Sequence, residues 1–119
     1  MKEIKLLLNN IIEGIQDKKG KKISKINLTG IPGAICDYFV ICEGNTPSHV
    51  ASIAESIEVM VKRNTGEHPI RVQGHQAAEW IGIDYGDIIV HVFLPNLREY
   101  YNIDNLWDDA PVEIIPSID

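Results

Sequence analysis

The stretch Glu79–Leu94, EWIGIDYGDIIVHVFL, decides the fold that this sequence predicts. Ile81 and Ile83 alternate with a glycine and an aspartate, and residues 88–94 are almost wholly apolar. Alternating and short apolar runs of this length are typical of β-strands. Between them the letters DYGD carry turn chemistry, because Gly86 can adopt the left-handed conformation that closes a hairpin. The stretch therefore predicts two strands joined by a tight turn.

The second strand of this hairpin is predicted to lie inside a sheet. Its side chains alternate between two faces, with Ile88, Val90, Val92 and Leu94 on one and Ile89, His91 and Phe93 on the other. Because both faces are apolar, we expect helices to pack on the sheet. A histidine on such a strand is more often a semi-buried structural residue than a catalytic base.

The remaining segments predict an α/β fold in a single domain. Their order is helix, strand, strand, helix, strand, the hairpin and a short helix, with the elements near residues 4–15, 22–28, 37–42, 46–63, 70–73 and 97–102. This order predicts a mixed sheet of about five strands flanked by helices. The lysines of the first strand favour a sheet edge. Residues 1–108 form the predicted domain, and residues 109–119 are expected to be an irregular acidic tail, since they hold two prolines and no basic residue.

Charge and composition narrow the function classes. The net charge of −6 is uneven: residues 1–30 hold seven basic and three acidic residues, whereas residues 31–119 hold four basic and fourteen acidic ones. An acidic body argues against a direct grip on nucleic acid and favours a basic protein partner. The lysines around Gly20 are interpreted as a solvated turn. Cys36 and Cys42 are interpreted as buried free thiols of a reducing cytoplasm. No apolar run suggests a membrane span, and no signal peptide is expected.

Metal-dependent catalysis has weak support in the residues. Asp84, Asp87 and His91 are close in sequence, and His49 lies near a helix start. Hydrogen bonds to turn amides account for the two aspartates without a metal. A nucleotidyltransferase magnesium site would need paired acids on one strand face and a Gly-Ser turn, and Gly-Ser does not occur in the chain. We therefore expect no metal, no cofactor and no enzyme activity, and a magnesium-dependent nucleotidyltransferase-like enzyme stays as the alternative.

An interaction surface is the stronger prediction. Aromatic residues concentrate in the last third of the chain among acidic ones: the aromatic residues are Trp80, Tyr85, Tyr100, Tyr101 and Trp107, and the acidic residues among and beside them are Glu79, Asp84, Asp87, Glu99, Asp104 and Asp108. Aromatic groups with a charged rim match the composition of binding hot spots. In the other interpretation, Trp107 and one tyrosine only pin the last helix to the sheet. We expect that interpretation to hold for about half of the aromatic residues.

Two segments, DYFVICEGNTPSHVASIAE at 37–55 and EWIGIDYGDIIVHVFLPNLREYYNIDNLW at 79–107, resemble the ribosomal silencing factor family RsfS, also called Iojap/YbeB. The resemblance extends over roughly residues 4–108. It implies a non-enzymatic translational repressor with a nucleotidyltransferase-like fold that lacks the catalytic constellation. Such a protein binds the large ribosomal subunit through its fourteenth ribosomal protein and blocks joining of the small subunit. The resemblance also implies a homodimer when free.

The resemblance also implies which residues meet the partner. Carried onto this chain, the predicted partner-binding residues are Glu79, Trp80, Ile81, Asp84, Tyr85, Asp87, Arg98 and Tyr101. His49, His91 and Trp107 are predicted to be structural or semi-buried. Neither sequence-specific contact with nucleic acid nor contact with a membrane is expected.

Overall fold

A computed structural model describes residues 3–118, and within that range the chain forms a six-stranded mixed sheet with three α-helices. The elements are α1 Ile4–Asp17, β1 Lys21–Asn27, β2 Tyr38–Glu43, α2 Pro47–Thr65, β3 Arg71–Gln73, β4 Trp80–Asp84, β5 Ile88–Phe93, α3 Pro95–Tyr101, a 3-10 turn Ile103–Asn105 and β6 Val112–Ile115. The strand order is β3-β4-β5-β2-β1-β6. The β2–β5 pair is parallel, and the other neighbours are antiparallel. The predicted α/β class is confirmed.

The predicted hairpin is β4 and β5. Gly86 has a φ of +92°, and its amide donates to the Asp84 carboxylate at 2.7 Å, so the turn uses the glycine and the aspartate as predicted. β5 pairs with β4 on one side and with β2 on the other, which confirms that it is an interior strand.

Two layers cover the sheet unequally. Helices α1 and α2 cover one face, where Ile81, Val90 and Val92 are fully buried. On the other face, α3, the 3-10 turn and neighbouring loops pack over β2 and β5 around Phe39 and Phe93. That second layer leaves the β3–β4 side of the sheet uncovered. Within residues 3–118 no helix has both the length and the apolar character needed to span a membrane.

Two predictions about the sheet edges were wrong. The expected irregular tail contains β6, which pairs antiparallel with β1, so the sheet has six strands instead of about five and β1 is not an edge. The two prolines flank the strand instead of interrupting it, so no ladder hydrogen bond is lost to them. Lys25 on β1 pairs with Glu113 on β6 at 2.9 Å. Asp119, the end of the predicted tail, lies outside the described residues.

Candidate partner-binding surface

The uncovered part of the sheet carries a depression of about 340 Å³. It is lined by Arg71, Gln73, Gly74, Trp80, Gly82, Asp84, Ile89 and His91, and we call this surface the open sheet face. Its floor is Gly82, where an added Cβ would find no heavy atom within 4 Å. The alternation of β4 explains the lining, because Trp80, Gly82 and Asp84 point to the same side of the strand. The open sheet face is therefore a shallow site with room for a side chain from another molecule.

Trp80 is a fixed aromatic group at one end of this face. Its ring stacks on Phe93 with centroids 4.7 Å apart and lies 4.8 Å from the ring of Tyr101 on α3. The indole Nε1 donates a hydrogen bond to His91 Nδ1 at 3.1 Å. Aromatic pairs of this kind contribute about 0.5–1.5 kcal/mol each beyond the area they bury. The half-buried indole thus has a single orientation before any partner arrives.

His91 supports that orientation and is not arranged for catalysis. Its Nδ1 accepts from Trp80, so the neutral ring carries its proton on Nε2. No hydrogen-bond partner of Nε2 is found among residues 3–118, and the ring lies edge-on to Phe39 at 4.8 Å. Burial lowers the pKa of His91 to about 4. The imidazole is therefore neutral at pH 7 and half-buried, and its structural role stays a prediction.

Arg98 differs from its predicted place on the binding surface. Its guanidinium is buried and donates to Asp104, to Glu43, to the Ser24 hydroxyl and to the Lys22 carbonyl. An arginine offers five donors in a rigid fork, and here most of them are used inside the molecule. Arg98 therefore attaches α3 to β1 and β2 and is not available for a partner.

Ile81 and Tyr85 also differ from the prediction. Both side chains are fully buried among the residues that face α1 and α2. Burial raises the pKa of the Tyr85 phenol, and the nearby carboxylates of Glu58 and Glu67 raise it further. A partner that binds this conformation contacts neither residue. The prediction failed because Tyr85 follows the last residue of β4, where the turn directs its ring into the core.

The other predicted contacts lie at different points of the hairpin. Glu79 is exposed and Tyr101 is half exposed, and both are next to Trp80. Asp84 lines the depression and also holds the turn. Asp87 lies at the far end, where its carbonyl accepts from the amides of residues 37 and 38. The structure thus places Trp80 and Asp84 on the open sheet face with the ring of Tyr101 against Trp80, and the partner-binding role of these residues and of the exposed Glu79 stays a prediction.

The prediction from sequence missed the residues between these contacts. Arg71 on β3 is the register partner of Asp84, and Gln73 is the partner of Gly82. On β5, Ile89 is opposite Asp84. The alternation of β4 contained a usable signal for Gly82, whereas β3 is placed beside β4 only by the tertiary structure.

The remaining predicted structural residues have clear packing roles. His49 accepts from the Asn45 amide through Nδ1 at 2.9 Å, and its Nε2 lies 2.7 Å from the Lys18 carbonyl, so it joins the start of α2 to the end of α1. Trp107 lies edge-on to Phe39 at 5.2 Å and is half-buried. Both side chains are half-buried, and their structural role stays a prediction.

Metal ligands and reactive thiols are not assembled at this surface. Among residues 3–118, no three histidine, cysteine, aspartate or glutamate side chains are grouped so that they could hold a metal ion. Cys36 and Cys42 are buried free thiols, as predicted. Burial raises the pKa of Cys36 to about 11 and that of Cys42 to about 12, so neither is a thiolate at neutral pH.

Comparison with known proteins decides the family. The family described as "Ribosomal silencing factor during starvation", RsfS, matches residues 1–119. The chain belongs to the RsfS family. The RsfS proteins similar to it include that of Halalkalibacterium halodurans, which is 39% identical over 105 residues and covered to 88% in both chains. The RsfS protein of Bacillus subtilis is 36% identical over 108 residues, which are 91% of this chain and 90% of that one.

Solved structures support the same assignment. A crystal structure of a Chromobacterium violaceum protein superposes with a TM-score of 0.83 at 28% identity, covering 98% of this chain and 95% of that one. A Bacillus halodurans protein gives a TM-score of 0.78 at 34% identity, covering 92% of this chain and 97% of that one.

A mouse relative in sequence is named "Mitochondrial assembly of ribosomal large subunit protein 1". It is 30% identical over 73 residues, which are 60% of this chain and 32% of its own length.

Membership of the RsfS family confirms the resemblance seen in the sequence. The role of the chain is that of a ribosomal silencing factor, and the family is not one of known enzymes. The nucleotidyltransferase-like description of the fold stays a prediction.

Proposed function

We propose that this RsfS-family protein binds the large ribosomal subunit through its fourteenth ribosomal protein and sterically blocks joining of the small subunit. The family role and the name of the mouse relative, which refers to the large subunit, support a ribosomal target. The observation that carries the proposal is the open sheet face beside the fixed indole of Trp80.

The open sheet face has the composition of a protein-binding site. Trp80 supplies a rigid aromatic anchor whose entropy loss on binding is already small, because Phe93 and Tyr101 hold it in place. The glycine floor at Gly82 leaves room for a partner side chain, and the carboxylate of Asp84 lies at the rim. A partner side chain with an apolar stem fits over the glycine, and the rim offers both the carboxylate of Asp84 and the side chain of its register partner Arg71.

The negative charge of the protein favours its association with a basic partner. Residues 31–119 carry fourteen acidic against four basic side chains, and all residues of the open sheet face belong to this acidic part. Such a field speeds association with a basic protein and loses strength as salt screens it. Occlusion of a subunit interface needs no bond-making step, so the mechanism assigns no catalytic role to any residue. The homodimer implied by the resemblance and the cytoplasmic location inferred from the free thiols stay predictions.

Sedimentation with isolated large subunits tests the proposal. Gly82→Val places a branched side chain in the open depression, where an added Cβ has no heavy atom within 4 Å, so the variant should fold and bind at least tenfold more weakly. Gly30→Val is the matched control, because an added Cβ there also finds open space but lies in the loop after β1. If Gly82→Val binds as tightly as the unsubstituted protein, the binding surface lies elsewhere.

A charge reversal gives a second test that does not depend on the depression. Glu79 is exposed next to Trp80, whereas Glu13 is exposed on α1, on the other side of the sheet. Glu79→Lys should weaken binding to large subunits, and Glu13→Lys should change it little. Light scattering of mixed subunits then reports whether the bound protein prevents their association. Binding without any effect on association would contradict the steric block.

A further inference from the structure

The turn between α1 and β1 concentrates positive charge on an otherwise acidic molecule. Lys18, Lys19, Lys21 and Lys22 surround Gly20, and we call these four residues the lysine turn. Lys18, Lys19 and Lys22 are exposed, and none of them forms an ion pair with another residue of the described range 3–118. The sequence alone favoured a solvated turn, but the structure shows two features that such a turn does not need.

The first feature is a fixed backbone. A Cβ at Gly20 would lie 2.4 Å from Ile15 Cγ2, so only glycine fits, and the left-handed position is taken by Lys19 with a φ of +58°. A non-glycine residue in this region costs about 1 kcal/mol or more. The Lys18 carbonyl is held by His49 at 2.7 Å. The lysine side chains therefore project from a backbone with little freedom.

The second feature is the position of the lysine turn relative to Trp80. The Lys22 carbonyl accepts from the guanidinium of Arg98, and Arg98 lies on α3, one turn before Tyr101, whose ring contacts Trp80. The start of β1, the end of β2, the end of β5 and the start of β4 all lie at the same end of the sheet. Three strand spacings separate β1 from β4, a distance of about 14 Å. The lysine turn and Trp80 therefore lie at the same end of the sheet.

We propose that the lysine turn binds backbone phosphates of the large-subunit ribosomal RNA while the open sheet face binds the ribosomal protein. This inference depends on the proposed function, since it adds a second contact to the same docking event. Ammonium groups neutralise phosphates and release counterions, which gives affinity without sequence preference. The segment from Asp17 to Lys22 holds no aromatic residue to stack on a base and no apolar residue to enter a membrane.

The double substitution Lys18→Gln/Lys19→Gln tests the lysine turn. Its affinity for large subunits and for the isolated fourteenth ribosomal protein is measured at several salt concentrations from about 50 to 200 mM, the range in which phosphate contacts lose affinity. For whole subunits, the slope of log affinity against log salt should become shallower by about 2, one unit per lost phosphate contact. For the isolated protein, affinity should be unchanged.

The matched control removes the same charge at the other end of the helix pair. Lys5 lies in the first turn of α1 and Arg63 in the last turn of α2, and both are exposed. Lys5→Gln/Arg63→Gln should leave the salt slope for whole subunits within about half a unit of the unsubstituted value, because neither residue belongs to the lysine turn.

Each outcome decides between the two proposals. A loss of affinity and a shallower salt slope for whole subunits alone, absent from the control variant, support the RNA contact. Equal losses of affinity for subunits and for the isolated fourteenth ribosomal protein would overturn it, since the lysines would then act on the protein partner. An unchanged salt slope would also overturn it while leaving the protein-mediated docking intact. If the unsubstituted protein binds neither target, the proposed function itself fails.

Discussion

The guanidinium of Arg98 donates two hydrogen bonds to the carboxylate of Asp104, from Nε to Oδ1 at 3.1 Å and from Nη2 to Oδ2 at 2.7 Å. The same group reaches Glu43 at 3.3 Å, and the side chains of Arg98 and Glu43 are only 11% and 10% exposed. A single residue of α3 thus joins the 3-10 turn to the end of β2. The placement of Tyr101 against Trp80 depends on this attachment.

Arg98→Met should destabilise the fold by about 3–5 kcal/mol, because it leaves the buried carboxylate of Glu43 without its partner. Urea unfolding followed by circular dichroism measures the loss. The double variant Arg98→Met/Glu43→Gln should recover part of it, since the orphaned charge is removed as well. A loss of less than about 1 kcal/mol for Arg98→Met would contradict the role assigned to the pair.

His91 should make the stability fall in mild acid. Burial lowers its pKa to about 4 in the folded chain, against about 6.5 when unfolded, so the unfolded state binds the extra proton first. The contribution of neutral His91 is complete above pH 6.5 and is lost as the pH falls from 6.5 to 4, by up to about 3 kcal/mol. Unfolding free energies measured across this range should be less pH-dependent in His91→Gln. The exposed His75→Gln is the control and should keep the dependence.

Neither native thiol should react at pH 8. Cys36 and Cys42 are buried, and their raised pKa values of about 11 and 12 leave almost no thiolate. Ellman's reagent should detect both thiols only after denaturant is added. The exposed Ser48→Cys variant should show one fast-reacting thiol under native conditions, which verifies the assay. Rapid native reaction of the unsubstituted chain would mean that one of the two layers that cover the sheet opens readily.

Removal of β6 should expose the edge of β1. A chain ending at Ala110 loses the strand that pairs with Ile23–Ile26 and the half-buried Ile115, and should lose about 2 kcal/mol or more. It should also self-associate, because an unpaired interior strand becomes an edge. Size-exclusion chromatography and thermal unfolding measure both effects. Glu113→Gln removes only the ion pair with Lys25 and should cost less than about 1 kcal/mol.

Local sequence patterns predicted much of the fold. Alternation in the hairpin and its turn residues identified β4 and β5 and the faces of β5, and Thr46 with Pro47 marked the start of α2, where the Thr46 side chain caps the His49 amide. The concentration of aromatic residues also indicated Trp80 and Tyr101 as members of the binding surface. The same pattern could not show that Tyr85 is buried, because burial at a strand end depends on which layer packs nearby.

The sequence by itself determined the hairpin and the starts of α1 and α2, since turn chemistry, capping and periodicity involve residues close along the chain. The family followed from the resemblance of two of its segments. Only the tertiary structure decided that Arg98 is an internal attachment, as its contacts with Lys22 and Ser24 join residues 76 and 74 positions apart. The pairing of β6 with β1 and the open space above Gly82 were also decided only by the tertiary structure. The physical reason is that these contacts form between segments whose proximity is set by the packing of the whole sheet and by no local pattern.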